Sequence, residues 1–297
     1  MNRKLVKQGT ATLMISLPSK WLKDHSLDKG DNIDLEQLED NLVISPAKLG
    51  RKMETEITLR DLNESSIRTL ITNTYRKGYD KITVNFDTQH QFQILEDVIR
   101  KKLIGFDITK KEAKKCFVEN ITEPSFDQFE NILGKVFLNI SSLFEITRAR
   151  LNNDKTDEDF EIIEEKIMQY DNFCRRVISK GHLIKERKEF FWSFLHLVDH
   201  GQRELYHLNR AMTRPPKILN ETLNDAEKMF ELAKKSYLEK DLKSLSEMHA
   251  LDKKAFYERG YKTLEKLKGK EVILGYHLMA CLRKFFQTNS PLSGLLL

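Results

Sequence analysis

The first 46 residues decide the fold of the N-terminal region, and they open with RKLVKQGTATLMISLP at positions 3–18. Apolar residues alternate with polar ones at Leu13, Ile15 and Leu17, which is the period of two expected of half-buried strands. Gly9 and Thr10 separate this run from the basic run before it. The stretch therefore predicts two short strands joined by a turn.

Two more strands and a short helix follow. Pro18 suits the start of a helix, which we predict over 18–25, because its fixed φ and missing N–H are tolerated at a first helical position. Gly30-Asp31 turns the chain into a third strand, and Asp40-Asn41 turns it into a fourth strand over 42–44.

Charge is split between the two halves of this region. Residues 1–23 carry five basic side chains and no acid, whereas residues 24–50 carry seven acids against Lys29 and Lys48. A basic hairpin beside an acidic one is the electrostatic footprint expected of a protein that binds a phosphate backbone. On charge alone, a solvated charged surface is an equally good interpretation.

The region is too small to fold alone. Four short strands and one helical turn bury little apolar surface, and units below about 40–60 residues usually need a partner, a metal or a disulfide. The first 50 residues contain no cysteine. We therefore predict a homodimer in which strands of two chains complete one small barrel.

The order of fragments RKLVKQGT, ISLP, WL, LDKGD and LVISP over residues 1–48 resembles the AbrB/MazE/SpoVT family of swapped-hairpin DNA-binding domains. The resemblance implies dimerisation by exchange of hairpins and binding of double-stranded DNA through the basic N-terminal hairpin. The DNA-binding positions that it implies are Arg3, Lys4, Lys7, Thr10, Thr12, Lys20 and Lys23.

The composition of the whole chain favours a cytoplasmic protein. Its 297 residues are 40% hydrophobic and 32% charged, with a net charge of +5. No run approaches the ~18 apolar residues of a membrane helix, so we expect no membrane insertion. Cys116, Cys174 and Cys281 match no disulfide or metal spacing and are expected to be buried in a reducing compartment.

Residues 51–121, after a predicted linker at 49–51, are expected to form a small α/β domain. The predicted elements are strands at 53–59 and 81–86, helices at 63–77 and 92–103, and a hairpin of strands 106–109 and 116–121. Alternation of strands and helices favours βαβ pairing. The lysines of 110–115 are predicted to lie at a solvated hairpin tip, with DNA contact as the alternative.

Residues 124–297 change to long helices with apolar residues spaced by three and four. Ser125 with Gln128 predicts a capping box at the start of the first helix. Five more helices are predicted, from about 157 to Gly181, over 191–212 before Pro215-Pro216, and over 219–237, 241–268 and 271–288. Helices of this length with short loops pack as antiparallel bundles.

Six helices divided after the third resemble the PhoU family, whose fold is two three-helix repeats. The chain as a whole is then an α+β multidomain protein that resembles an archaeal class of PhoU-type regulators. The resemblance implies a role in phosphate uptake or phosphate-responsive control, with a phosphate-transport or signalling protein as a partner.

No metal or cofactor is predicted. PhoU proteins often bind metal clusters through Glu-x-x-x-Asp motifs, but here Asp199 is followed four residues later by Arg203, and no acid follows Val272. His196 and His200 share a helix face, so a two-histidine site is the alternative to exposed histidines. No nucleophile motif or phosphate loop occurs, so we expect no enzyme.

Two functions remain. The first is a dimeric DNA-binding transcription regulator, and the alternative is a PhoU-like adaptor whose N-terminal domain only dimerises. An antitoxin fits the N-terminal region, but the long folded C-terminal region differs from the short disordered tail of such proteins.

Overall fold

The computed structural model describes residues 3–9, 12–38, 41–46, 52–122, 124–125, 128–156, 159–180, 187–213 and 216–297. The chain divides into two compact units, which we call unit 1 (Met1–Lys52) and unit 2 (Met53–Leu297). Six sequence-based assignments fall wholly or partly outside the described residues: Thr10, the turn at Asp40-Asn41, the linker at 49–51, the helix start near 157, and the helix ends at Gly181 and Pro215.

Unit 1 contains two antiparallel hairpins and a short helix, as predicted. The elements are β1 (Val6–Gln8), β2 (Thr12–Met14), α1 (Ser19–Asp24), β3 (Ile33–Leu38) and β4 (Asn41–Pro46). Within this single chain, β1–β2 and β3–β4 are separate two-stranded sheets. Two boundaries were wrong: β2 ends at Met14 rather than Leu17, and Pro18 precedes the helix as its N-cap, with φ −65° and ψ 128°.

The α/β part of unit 2 has the predicted order of elements. They are β5 (Glu54–Thr58), α2 (Glu64–Arg76), β6 (Lys81–Asn85), α3 (Gln89–Lys102), β7 (Phe106–Lys111) and β8 (Lys115–Asn120). The sheet order is β5-β6-β8-β7, and β5 and β6 are parallel, which confirms the βαβ pairing. Thr88 and Gln91 form a capping box, so α3 begins at Gln89 rather than at 92.

The hairpin of β7 and β8 differs from the prediction in one respect. Strand β7 continues to Lys111, with a register shift between Ile108 and Lys110, and β8 begins at Lys115. Lys110, Lys111 and Lys115 are therefore strand residues rather than residues of the tip.

In its described residues, the helical part of unit 2 contains the six predicted helices and one more. The elements are α4 (Phe129–Leu151), α5 (Phe160–Lys180), α6 (Lys188–Ala211), α7 (Leu219–Glu239), α8 (Leu242–Asp252), a π-helical segment (Lys253–Gly260), α9 (Tyr261–Lys266), α10 (Glu271–Gln287) and α11 (Asn289–Leu296). The run from α8 to α9 is the predicted fifth helix.

One assignment in the helical part was wrong. Ser125 does not cap the first helix: α4 begins at Phe129, and the Ser125 carbonyl accepts the Gln128 N–H at 3.0 Å. The sixth helix ends before Pro291 as predicted, and the additional helix α11 then includes Pro291 as its third residue. Proline is tolerated there, since the N–H groups of a first helical turn have no intrahelical acceptor.

The α/β part and the helical part have separate hydrophobic cores. They meet at buried and half-buried charges of α2, α5 and the residue before β6, which we call the polar seam: Arg76, Asp80, Asp171, Arg175 and Arg176. All three cysteines are buried and free, as predicted. In the described part of the chain, no helix is long and apolar enough to cross a membrane.

Candidate nucleic-acid interface

The β1–β2 hairpin carries most of the predicted DNA-binding residues. Lys7 lies opposite Leu13, and Gln8 lies opposite Thr12. Gly9 has φ +72°, in the left-handed region that glycine adopts without steric cost, and this conformation begins the turn. Because directly opposed residues share a face of an antiparallel pair, Lys7 and Leu13 lie on one face and Gln8 and Thr12 on the other.

Every described residue from Arg3 to Ser16 is exposed. The apolar side chains are included, with Val6 58% and Leu13 59% exposed, and Leu35 and Leu42 of the second hairpin 60% and 59% exposed. No side chain whose burial is described in unit 1 is buried. A single copy of unit 1 therefore leaves its apolar strand residues in water, which is unfavourable unless another surface covers them.

Six of the seven predicted positions lie among the described residues, and all six are exposed. Arg3 and Lys4 precede β1, Lys7 lies in β1, and Thr12 opens β2. All four, together with Lys20 and Lys23, lie within residues 1–23, which contain no acidic residue.

Lys20 and Lys23 lie one turn apart on α1. Trp21, between them in sequence, is half-buried, with its ring centroid 5.0 Å from that of His25. None of the five basic side chains of residues 1–23 forms an ion pair with another described residue. They therefore remain available to an external anion.

The lysines of the β7–β8 hairpin have internal partners. Lys110 pairs with Glu112 at 2.7 Å, and Lys115 pairs with Glu56 at 3.5 Å. Lys111 lies 3.5 Å from the centroid of the Phe92 ring. Because nearby acids compensate two of these charges, this hairpin is a weaker candidate for a phosphate backbone than the N-terminal one.

Histidines and cysteines do not assemble into a described site. The rings of His196 and His200 have centroids 4.1 Å apart, and burial followed by the His200 charge lowers the pKa of His196. Among the described residues, no group of three or more potential ligands could hold a metal ion. Burial raises the pKa of Cys116 to about 11 and also raises that of Cys174, which opposes thiolate formation at both residues.

The polar seam was missed by the sequence analysis, which treated 157–181 only as an amphipathic helix. Asp171 and Arg175, four residues apart, are 2% and 1% exposed and form an ion pair at 2.6 Å. The sequence does show an acid followed four residues later by a base, but such pairs usually lie on the solvated face of a helix and do not by themselves indicate burial.

Comparison with known proteins gives one finding for unit 1. Residues 6–52 match the family model of "Antidote-toxin recognition MazE, bacterial antitoxin". The match covers both hairpins and α1, and it ends where unit 1 ends. Searches of curated proteins and of solved structures gave no match for the chain.

Unit 1 is thus similar to the MazE domain, which confirms that part of the predicted resemblance. This similarity is consistent with a regulator that binds DNA. Residues 53–297 lie wholly outside the match.

Proposed function

We propose that this chain is a transcription regulator that binds double-stranded DNA as a homodimer through the basic N-terminal hairpin. The observation that carries the proposal is the hairpin itself: exposed basic residues, without internal ion pairs among the described residues, in a region similar to MazE. A duplex carries about one negative charge per 1.7 Å of its axis, so clustered bases that lack internal partners are suited to it.

The homodimer follows from the exposed apolar strand residues. A second copy that contributes its hairpins would cover Val6, Leu13 and their neighbours and would complete a swapped-hairpin barrel. Two copies also double the number of basic side chains on the DNA-facing surface. Oligomers larger than a dimer, formed through unit 2, are compatible with this arrangement.

The second part of the proposal concerns the role of unit 2. By its resemblance to the PhoU family, we propose that the helical part receives the input in phosphate uptake or phosphate-responsive control, in the cytoplasm and without a catalytic step. The support is the order of six long helices. The alternative is an adaptor that binds a phosphate transporter or signalling protein, and the DNA-binding experiment below separates the two.

Replacement of Lys4 by alanine should weaken the binding of duplex DNA of any sequence. Each phosphate contact contributes about 0.9 to the slope of log affinity against log salt concentration, and one substitution removes two contacts per dimer. We therefore expect Lys4→Ala to flatten the slope by about 2, measured by gel retardation or fluorescence anisotropy from 50 to 300 mM salt.

Arg3 provides a different readout, because its guanidinium can bond two acceptors of a guanine edge at once. If it does so, Arg3→Ala relaxes sequence preference more than it weakens non-specific binding.

The control is a quadruple Gln variant of Lys110, Lys111, Lys114 and Lys115, which should retain affinity for duplex DNA. Loss of binding in this control, with normal binding by Lys4→Ala and Lys7→Ala variants, would place the interface on unit 2. No binding to any duplex at low salt would favour the adaptor.

A fragment of residues 1–52 should behave as an obligate dimer. If neither copy has a core of its own, folding is linked to association, and the midpoint of unfolding rises with protein concentration. Each tenfold dilution should cost about 1.4 kcal/mol of apparent stability. Circular dichroism at several concentrations and sedimentation equilibrium measure this, and a folded monomeric fragment would contradict the swapped-hairpin proposal.

A further inference from the structure

A groove runs along α2, where Trp192 from the start of α6 forms part of its wall. Its volume is about 700 Å³, within the range of about 300–1,000 Å³ typical of small-molecule sites. The lining combines hydroxyl and amide side chains with two cations, Arg76 and Lys77, in the last turn and C-cap of α2. None of the described residues that line the groove is acidic.

The cationic end of the groove has more positive than negative charge. Asp171 accepts from Arg175 Nε at 2.6 Å and pairs with Arg76 Nη2 at 3.4 Å, so two guanidinium groups share one carboxylate. Burial lowers the pKa of Arg76, and the charges of Arg175 and Arg203 lower it further against the opposing charges of Asp171 and Asp199. Burial also raises the pKa of Asp171, so the one shared anion is itself costly to keep charged. An additional anion would stabilise this arrangement.

Arg175 has a donor that the protein leaves unsatisfied. The side chain is 1% exposed, and its Nη2 has no hydrogen-bond partner among the described residues. A buried donor without a partner costs about 1–3 kcal/mol, so such an atom usually marks a water or a ligand. The guanidinium lies 5.2 Å from the ring of Trp192, which links this atom to the groove wall.

The wall itself favours a planar group. Trp192 is half-buried and lines the groove together with Leu62 and Leu70. Stacking of a nucleobase on an aromatic side chain contributes about 1–3 kcal/mol. Ser66, Thr69 and Asn73 supply neutral donors and acceptors along the same helix face.

We propose that this α2–α6 groove binds a small phosphate-bearing ligand with a planar ring, that is, a nucleotide. The phosphate is held by Arg76 and Lys77 and the ring packs on Trp192. The volume of the groove favours a nucleotide over inorganic phosphate, because a phosphate ion alone would make no contact with Trp192. The site is inferred from unit 2 alone and does not depend on DNA binding by unit 1.

The experiment uses the full chain with Trp21→Phe. The protein has two tryptophans, so this variant makes Trp192 the sole fluorophore. AMP, inorganic phosphate and adenosine are titrated separately, with calorimetry as a second readout. We expect AMP to bind saturably and at least about tenfold more tightly than phosphate or adenosine, since only AMP makes both contacts.

Two substitutions test the cations. Lys77→Gln and Arg76→Gln should each weaken AMP binding about tenfold, as expected for loss of a hydrogen bond to a charged group. Lys114→Gln, on an exposed residue of the same unit, is the matched control and should bind AMP like the parent. Lys77 is exposed, so its variant tests the site even if Arg76→Gln fails to fold.

Three results would overturn the proposal. One is the absence of saturable binding of AMP at millimolar concentration. A second is unchanged AMP affinity in the folded Lys77→Gln variant. A third is phosphate binding as tight as that of AMP, which would show that the ring contributes nothing to binding. Duplex binding measured on the same samples reports on unit 1 alone, so failure of one proposal is distinguishable from failure of the other.

Discussion

Replacement of Arg176 by methionine should lower the free energy of unfolding of unit 2 by about 3–5 kcal/mol, the cost of removing one partner of a buried ion pair. Arg176 is 0% exposed. Its Nη2 donates to Asp80 Oδ1 at 2.6 Å, and its Nη1 donates to the carbonyl oxygens of Tyr75 and Tyr79 at 3.1 and 2.8 Å. The substitution leaves all three acceptors with fewer donors in a place that water does not reach.

The arginine also joins two cores. It lies on α5, while its acceptors belong to the α/β part, and its guanidinium lies 5.0 and 4.8 Å from the rings of Tyr75 and Phe106. Methionine fills a similar volume but carries no donor. Chemical denaturation monitored by circular dichroism measures the loss.

Arg60→Met is the matched control, because Arg60 also forms a single pair with an aspartate. Its Nε lies 3.1 Å from Asp87, but its side chain is 68% exposed, and exposed pairs contribute about 0–1 kcal/mol. An equal loss in the two variants would show that burial does not set the energetics of the seam.

Acid titration gives a second readout of the same pair. Burial alone would raise the pKa of Asp80, but hydrogen bonds from Lys180 and the Met53 amide, with the charges of Lys180 and Arg176, outweigh it and lower the pKa below its ordinary value of 3.8. A carboxylate with a lowered pKa contributes stability above its unfolded pKa and loses that contribution as the pH falls through the folded one. The difference between parent and Arg176→Met should therefore shrink below about pH 4.

Gly201→Ala should destabilise the helical part by about 1–3 kcal/mol through overpacking. A Cβ atom built on Gly201 of α6 lies 2.6 Å from Cε1 of Phe285, on α10. The Phe285 ring is 0% exposed and packs against Phe144 and Phe230 at 6.0 and 5.1 Å between centroids. Because the ring is confined on these sides, the two helices must separate or the ring must leave its rotamer.

Gly134→Ala is the same substitution in an open position. Gly134 is exposed on α4, and its added Cβ meets nothing within 4 Å. Alanine is favoured over glycine in a helix by about 0.5–1 kcal/mol, so this variant should be more stable than the parent. In a Phe285→Leu background the cost of Gly201→Ala should fall, and a cost unaffected by Phe285→Leu would rule out the ring as its cause.

Local patterns predicted most of the secondary structure, because the energy that selects each element acts over a few residues. The strand predicted at 81–86 is β6, in which Ile82 and Val84 are both 0% exposed. The spacing of Phe191, Phe194 and Val198 predicted the buried stripe of α6 in the same way. The fragments of the first 48 residues were also enough to predict the similarity to MazE.

Boundaries depended on interactions that a pattern does not contain. No helix was predicted after residue 288, yet α11 follows and includes Pro291, and the Leu292 of that helix is fully buried in the helical core. The sequence predicted Lys110 and Lys111 at a solvated hairpin tip, but they extend β7 by pairing with Phe117 and Cys116 of β8. In both cases tertiary burial or strand pairing outweighed the local preference.

By itself, the sequence determined the order of elements, the similarity of unit 1 to MazE and the acid-free hairpin that motivates the proposed DNA contact. Only the tertiary structure decided that Arg176 is buried, because its acceptors Tyr75 and Asp80 lie on α2 and just before β6, about 100 residues earlier in the chain. On a helix, a buried arginine and a solvated one have the same local pattern, and they differ only in what lies against them. The polar seam and the α2–α6 groove beside it could therefore not be found from spacing, since both are formed where two separately patterned regions meet.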